Sequence, residues 1–291
     1  MSARLLLDLW RIVFKTDARS SFGDVKRFGL WESPTGLYFF DPPRDGDQVF
    51  YKQLYAWYEK WRLYTGDSIR QEFLIAAKHI PPGARVLDVG CGHGGFRQCA
   101  PQADYTGLDP NFGDGAAIAG VRNETLAQHL VEHEASYDAV CCFQVIEHVR
   151  DPKALFAEIM RAAKPGGLIF IGAPHVPSAL TRIPNFMVNA PPHHLTWWTK
   201  PALIELATSA GAIVESVDNA PWSDADGAMY WMARLSPIKC ADIHFRGGIA
   251  WHAASVIAQI GGYLAFRLFG APRRTDDEGA GLLLLARKPS R

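Results

Sequence analysis

Apolar positions along the chain change rhythm near residue 80. Before it they recur at helical spacing. MSARLLLDLWRIVF, interrupted by Asp8 and Arg11 and followed by no small-residue cleavage site, predicts an amphipathic helix rather than a targeting segment. Leu37 to Phe40 predicts a short strand stopped by Pro42 and Pro43. Tyr51, Leu54, Tyr55, Trp57, Tyr58, Trp61 and Tyr64 then recur mostly at spacings of three and four, predicting a lead-in helix whose aromatic face packs on the main domain. From Pro82 onward short apolar runs alternate with helical periods. Strands are predicted at Arg85 to Val89, Tyr105 to Asp109, Asp138 to Phe143, Leu168 to Ala173, Ala212 to Val217 and Gly281 to Arg287. DPKALFAEIMRAAKPGG predicts a helix with Asp151 as N-cap, Pro152 in its first turn and Gly166-Gly167 at its end. Another runs from the N-cap Thr199 through Pro201 to Gly211. Strands alternating with helices of this length imply an α/β fold with a doubly wound, mostly parallel sheet.

Residues 219 to 279 break the alternation and predict a helical insertion or lid. The lead-in takes residues 1–80, and the main domain 81–218 with 280–291. The insertion contains IAWHAASVIAQIGGYLAF, 18 residues without formal charge and long enough to span a bilayer. His252, Gln259 and Gly261-Gly262 within it favour a buried or lid-forming helix pair over membrane contact. Its helix from Ile249 is expected to bury Val256, Ile257, Ile260 and Leu264 against the domain.

Charge and cysteine content narrow the function. Thirty basic and thirty acidic residues balance, with no long basic run, which argues against a nucleic-acid partner. The five cysteines, Cys91, Cys99, Cys141, Cys142 and Cys240, show no CxxC spacing and read as reduced, mostly buried thiols of a cytoplasmic protein, without a zinc site.

The densest chemical signal is VLDVGCGHGG, Val86 to Gly95. Glycine after a strand permits positive φ and lets backbone approach a ligand without a Cβ between them. Asp109, at the end of the next strand, stands where a carboxylate accepts both hydroxyls of a ribose. Both features serve NAD and nucleoside-bearing cofactors equally. Asp88 separates them, because a carboxylate just before the glycines repels a pyrophosphate and suits a cofactor with an ammonium group. With these residues the chain resembles the class I S-adenosylmethionine-dependent methyltransferases. The resemblance continues through YTGLDP (Tyr105 to Pro110), YDAV (Tyr137 to Val140), VIEHV (Val145 to Val149) and KPGGL (Lys164 to Leu168), and covers roughly residues 80–218 and 280–288.

The resemblance implies a seven-stranded sheet with an antiparallel last strand and S-adenosylmethionine as cofactor. It implies that Gly90, Cys91 and Gly92 pass under the methionine part, that Asp88 orients that loop and the amino group, and that Asp109 and Pro110 meet the ribose. Asn123 and Glu124 would lie beside adenine, and Phe143 and Gln144 would border the methionine end. PNFGDGAAIAG is a poor version of the helix expected after the second strand, and the third strand is barely visible before Asn123. The metal-binding cysteine pair of sugar-modifying relatives has no counterpart around Trp31 to Gly36.

Methyl transfer to a hydroxyl needs a group that takes its proton, and histidine suits neutral pH. The candidate catalytic residues are His193 and His194, in the loop after the fifth strand, and His148, after the fourth, which equally suits a brace. No carboxylate or cysteine completes a metal-ligand set with them. The Asn/Asp-Pro-Pro-aromatic signature of nucleobase-amine methylation would stand directly after the fourth strand, where this chain has QVIEH. A small, lipid-like or glycan-precursor acceptor, methylated on oxygen, is therefore expected. A cofactor-binding protein without activity and an NAD-dependent oxidoreductase are the alternatives. The methylated atom and the oligomeric state are left open.

Overall fold

The computed structural model describes residues 1–60, 69–111, 118–240, 246–272 and 278–290. Trp61 and Tyr64 of the aromatic pattern, and most of the weak helix after Asn111, lie outside the described residues. In chain order the described strands are β1 (Gly29–Glu32), β2 (Tyr38–Asp41), β3 (Arg85–Val89), β4 (Asp104–Leu108), β5 (Val121–Arg122), β6 (Tyr137–Phe143), β7 (Ala163–Pro174), β8 (Thr196–Trp197), β9 (Ile213–Pro221) and β10 (Glu278–Arg287). Seven form one sheet in the order β5-β4-β3-β6-β7-β10-β9. β5, β4, β3, β6 and β7 run parallel. β10 runs antiparallel to β7: the Lys288 N–H donates to Gly167 and the His175 N–H to Ala280. This is the expected fold class, a mostly parallel seven-stranded α/β sheet.

The strand sequences explain the order. Val86, Leu87, Asp88 and Val89 of β3 are all buried, as a central parallel strand covered on both faces requires. Cys141 and Cys142 of β6 point to opposite faces and are both fully buried. A core of Phe73, Phe96, Phe143 and Phe170 with Val86, Leu283 and Leu285 fills the space beside the sheet. The helix Pro152–Ala162 has Asp151 as N-cap, its carboxylate accepting from the Ala154 N–H at 2.9 Å. It stops earlier than its punctuation predicts. Ala163 is already extended, and Gly166 and Gly167 lie inside β7 rather than at the helix end. Gly167 is needed there for packing, since a Cβ would stand 2.9 Å from the Lys164 carbonyl.

The chain divides into two compact units. A sheet unit comprises Tyr55–Ala173, Lys200–Asp218 and Leu282–Arg291, and an accessory unit comprises Met1–Leu54, Pro174–Thr199 and Asn219–Gly281. In the accessory unit the helix Ala3–Leu9 continues as a π-helical turn, Trp10–Phe14. Trp10 is fully buried, stacks edge-on to Phe50 at 5.0 Å and donates from Nε1 to the Pro191 carbonyl at 2.8 Å. β1, β2 and β8 form a small antiparallel sheet beside them.

The insertion is helical, as its sequence predicts, but faces the other way. It consists of the helices Asp224–Leu235 and Ile249–Phe269. Ser223 caps the first in a capping box with Asp226, whose other oxygen accepts from the Ala280 N–H at 2.6 Å. Val256, Ile257, Ile260 and Leu264, expected to be buried, are 43%, 52%, 58% and 54% exposed. The buried face of that helix is Ala254, Ser255, Ala258, Gly262 and Ala265. The reason is close approach: a Cβ on Gly262 would stand 2.5 Å from the backbone of Met232, so only small residues fit that side.

Candidate functional site

The turn after β3 is tied to the end of β4. The Gly90 and Cys91 N–H groups both donate to the Leu108 carbonyl, at 2.7 and 3.1 Å. Gly90 has φ +71°, and a Cβ there would lie 2.3 Å from the Val145 side chain. Gly92 has φ +53° and open space where a Cβ would stand. The first glycine is thus required by packing, and the second leaves a surface that a ligand can approach. The Gly92 N–H donates to Asp109 Oδ2 at 2.9 Å, and the Asn111 N–H donates to Oδ1 at 2.9 Å. Backbone groups orient both oxygens of Asp109, and each retains a lone pair for a further donor.

Asp88 sits deeper, only 3% exposed, and accepts from the Tyr105 hydroxyl at 2.9 Å. Burial pushes its carboxyl up to about 7, the Tyr105 hydrogen bond opposes that rise, and the charge of Asp109 adds to it. Burial and the same two carboxylates raise the Cys91 thiol, which disfavours its thiolate.

β5 lies beside β4, with Leu108 opposite Arg122, and the Asp109 N–H donates to the Arg122 carbonyl at 3.1 Å. Asp109, the exposed Pro110, Asn123 and Glu124 are thereby brought to one edge of the sheet. Glu124 is engaged there: its Oε1 pairs with His129 Nδ1 at 2.8 Å, and His129 Nε2 meets the Tyr137 hydroxyl at 2.5 Å. The His129 ring is kept below its usual pKa chiefly by burial.

Phe143 ends β6 with its ring among Phe73 and Phe96, at 4.9 and 5.2 Å. Gln144 follows with φ +57°, an uncommon backbone for a non-glycine residue, and donates from Nε2 to Glu72 Oε1 at 3.2 Å. Glu147 is fully enclosed, its carboxyl pushed up to about 8 by burial. His148 is half-buried, with Nε2 3.7 Å from Glu147 Oε1.

His193 and His194 belong to the accessory unit. Their rings stack at 4.6 Å and both side chains are buried. His193 also lies against Trp10 and Tyr51, at 6.4 and 6.0 Å. His194 Nδ1 bonds Asn189 Oδ1 at 3.0 Å. That oxygen accepts, so Nδ1 carries a proton.

Several residues of these arrangements carried no expected role: Tyr105 under Asp88, Val145 against Gly90, Glu72 on Gln144, His129 behind Glu124 and Asn189 on His194. Tyr105 and Val145 stood inside the quoted motifs. Glu72, 72 residues before Gln144, left no signal in the spacing.

These residues fit S-adenosylmethionine. A backbone-oriented carboxylate offers acceptors for two ribose hydroxyls, and open space lies above Gly92. A methyltransferase-domain family model matches residues 58–217. The chain is similar to a ubiquinone biosynthesis O-methyltransferase of Xanthomonas axonopodis pv. citri, 31% identical over 191 residues, which cover 55% of this chain and 76% of that one. A protein of the same name from Xanthomonas campestris pv. campestris is 27% identical over 188 residues, with the same coverage. Among solved structures, a Thermotoga maritima S-adenosylmethionine-dependent methyltransferase, described as a possible histamine N-methyltransferase, aligns with a TM-score of 0.49 at 19% identity, over 82% of this chain and 98% of that one. With the glycine turn, the strand-end carboxylate and the sheet order in agreement with the family match, the chain belongs to the class I S-adenosylmethionine-dependent methyltransferases.

Proposed function

We propose that this methyltransferase transfers a methyl group to a hydroxyl of a small, lipid-like acceptor. Support for oxygen as the methylated atom comes from relatives named ubiquinone biosynthesis O-methyltransferase. The observation that carries the chemistry is the buried His193–His194 stack, in which Asn189 accepts a hydrogen bond from His194 Nδ1. An imidazole held in place by such a bond can take part in proton transfer without reorganising.

The chemistry that bound S-adenosylmethionine supplies is an electrophilic methyl group on a sulfonium. Asp109 would hold the ribose hydroxyls, with Pro110 beside it. Gly90, Cys91 and Gly92 would pass under the methionine part, with Asp88 bracing their turn through Tyr105. Asn123 would border the adenine, with Glu124 positioned by His129. Phe143 and Gln144 would close the methionine end. His193 or His194 would take the hydroxyl proton as the oxygen gains its methyl group. His148, beside Glu147 in the sheet unit, serves better as a brace on the cofactor side.

The test measures methyl transfer from S-adenosylmethionine to hydroxylated aromatic acceptors with and without a prenyl tail, alongside calorimetric titration with S-adenosylhomocysteine. Truncating the base should lower turnover about 10²- to 10⁴-fold at unchanged cofactor affinity. That outcome is expected for His193→Ala or His194→Ala. For His148→Ala, cofactor affinity or stability should move as well. Loss of turnover alone in His148→Ala would reverse the assignment. Full turnover in all three variants would point to carbon or amine methylation.

A further inference from the structure

The helix Ile249–Phe269 is amphipathic in the reverse of the usual sense for a soluble protein. Ile249, Val256, Ile257, Ile260, Leu264 and Leu268 are exposed, from 43% to 89%, while alanine, serine and glycine fill the packed face. At 100° per residue these six side chains fall within a stripe of roughly 120° that runs about 30 Å along the helix. Exposed apolar stripes of this extent mark surfaces that another phase or molecule covers.

The charges indicate what covers it. From Arg246 to Pro272 the chain carries two formal charges, Arg246 and Arg267, and no acid. The Arg246 guanidinium lies over Trp251 at 5.0 Å, and Arg267 donates to the Tyr263 hydroxyl at 3.0 Å. Arg267, held by Tyr263 at the C-terminal end of the stripe, suits the headgroup layer of a bilayer. Trp251, at about 200° from Ile249, carries the Arg246 pair on the packed side. A second copy fits worse. Pairing two such stripes, parallel or antiparallel, leaves Arg267 without a counter-charge, since no acid lies between 246 and 272. The helix is long and apolar enough to cross a membrane. Its other face, however, packs on Asp224–Leu235, which carries the exposed Asp224 and Arg234 and the buried Asp226, and such a helix would not enter hydrocarbon.

We propose that the exposed stripe of Ile249–Phe269 lies in the plane of an anionic lipid surface, with its apolar side chains in the acyl boundary and Arg267 at the headgroups. This reading is independent of the acceptor and of methyl transfer. Flotation of the whole protein with phosphatidylcholine vesicles, with and without phosphatidylglycerol, tests it. The wild type should float with the anionic vesicles, and hydrogen exchange over 249–269 should slow when they are added. The triple variant Ile257→Glu, Ile260→Glu, Leu264→Glu should bind at least about 10-fold more weakly, because it removes the buried apolar area on which such binding depends. Arg267→Glu should lower the preference for anionic vesicles by on the order of 10-fold. Val131→Glu, at a position 83% exposed in the sheet unit, should change nothing. Titration with S-adenosylhomocysteine should be the same in all of them, which separates failure here from failure of the cofactor site. Absence of wild-type flotation, or equal flotation of the triple variant, would overturn the proposal. A wild-type dimer in lipid-free buffer that the triple variant dissociates would assign the stripe to a second copy instead.

Discussion

The sheet unit and the helix pair of the accessory unit solve opposite packing problems. In β3 and β6 the large apolar side chains point inward, and Val86, Leu87, Cys141 and Cys142 are all fully buried. In Ile249–Phe269 the inward face is Ala254, Ser255, Ala258, Gly262 and Ala265, while isoleucine, valine and leucine stand outside. A parallel sheet is covered on both faces, so its apolar residues have no outward choice. A helix has a choice of faces, and steric room at the contact decides which one packs. Apolar content alone therefore reads burial correctly for a central strand and can invert it for a helix.

The largest effects should come from the sheet unit's cofactor turn. Asp109→Ala should weaken S-adenosylhomocysteine by about 10²-fold or more in calorimetry, since two charge-assisted hydrogen bonds are lost. Gly92→Val should do likewise by filling the open space over the turn. Unchanged affinity in both, with the fold intact, would remove the cofactor from this edge of the sheet. Gly90→Ala should instead lower thermal stability, because its Cβ would press on Val145 from a positive-φ position.

Next in size is the helix pair. Gly262→Val should destabilise the protein by roughly 3 kcal/mol in denaturant unfolding, as overpacking against the Met232 backbone cannot relax. A neutral result would mean that the two helices do not pack as closely as described.

Glu147 should give an effect confined to one pH window. Its carboxyl is raised to about 8 in the fold, from 4.5 when solvated. The native state then holds more protons than the unfolded state between those values, so stability falls as pH rises through that window. Glu147→Gln removes the falling contribution. The variant should match the wild type near pH 4 and exceed it at pH 8, by a margin that widens steadily between them, measured by urea unfolding at each pH. An equal gap at both pH values would place the carboxyl in water. Smallest of all, Ile260→Gln should change stability by less than about 0.5 kcal/mol, because its side chain is already 58% exposed. A large loss there would restore the buried helix face that the sequence pattern predicts.

Motif order made much of the sheet unit legible. β3 occupies the predicted Arg85 to Val89, and β6 begins one residue before its predicted start. Asp109 was readable because a strand end, a glycine turn and a carboxylate are all local features. Glu72 on Gln144 and Asn189 behind His194 were not, since long-range pairing leaves no periodic trace. The short β5 was nearly invisible because two residues, Val121 and Arg122, carry no pattern of their own.

By itself the sequence determined the alternation of strands and helices, the glycine turn after β3 and the carboxylate at the end of β4, because backbone periodicity and turn chemistry act over a few residues. Only the tertiary structure decided that the Pro152–Ala162 helix stops before Gly166, that Tyr105 supports Asp88, and that the Ile249–Phe269 helix turns its bulky side outward. Each of these depends on what stands opposite a residue in space. A Cβ at Gly262 would meet the Met232 backbone from 30 positions away, and no local pattern of apolar residues encodes that distance.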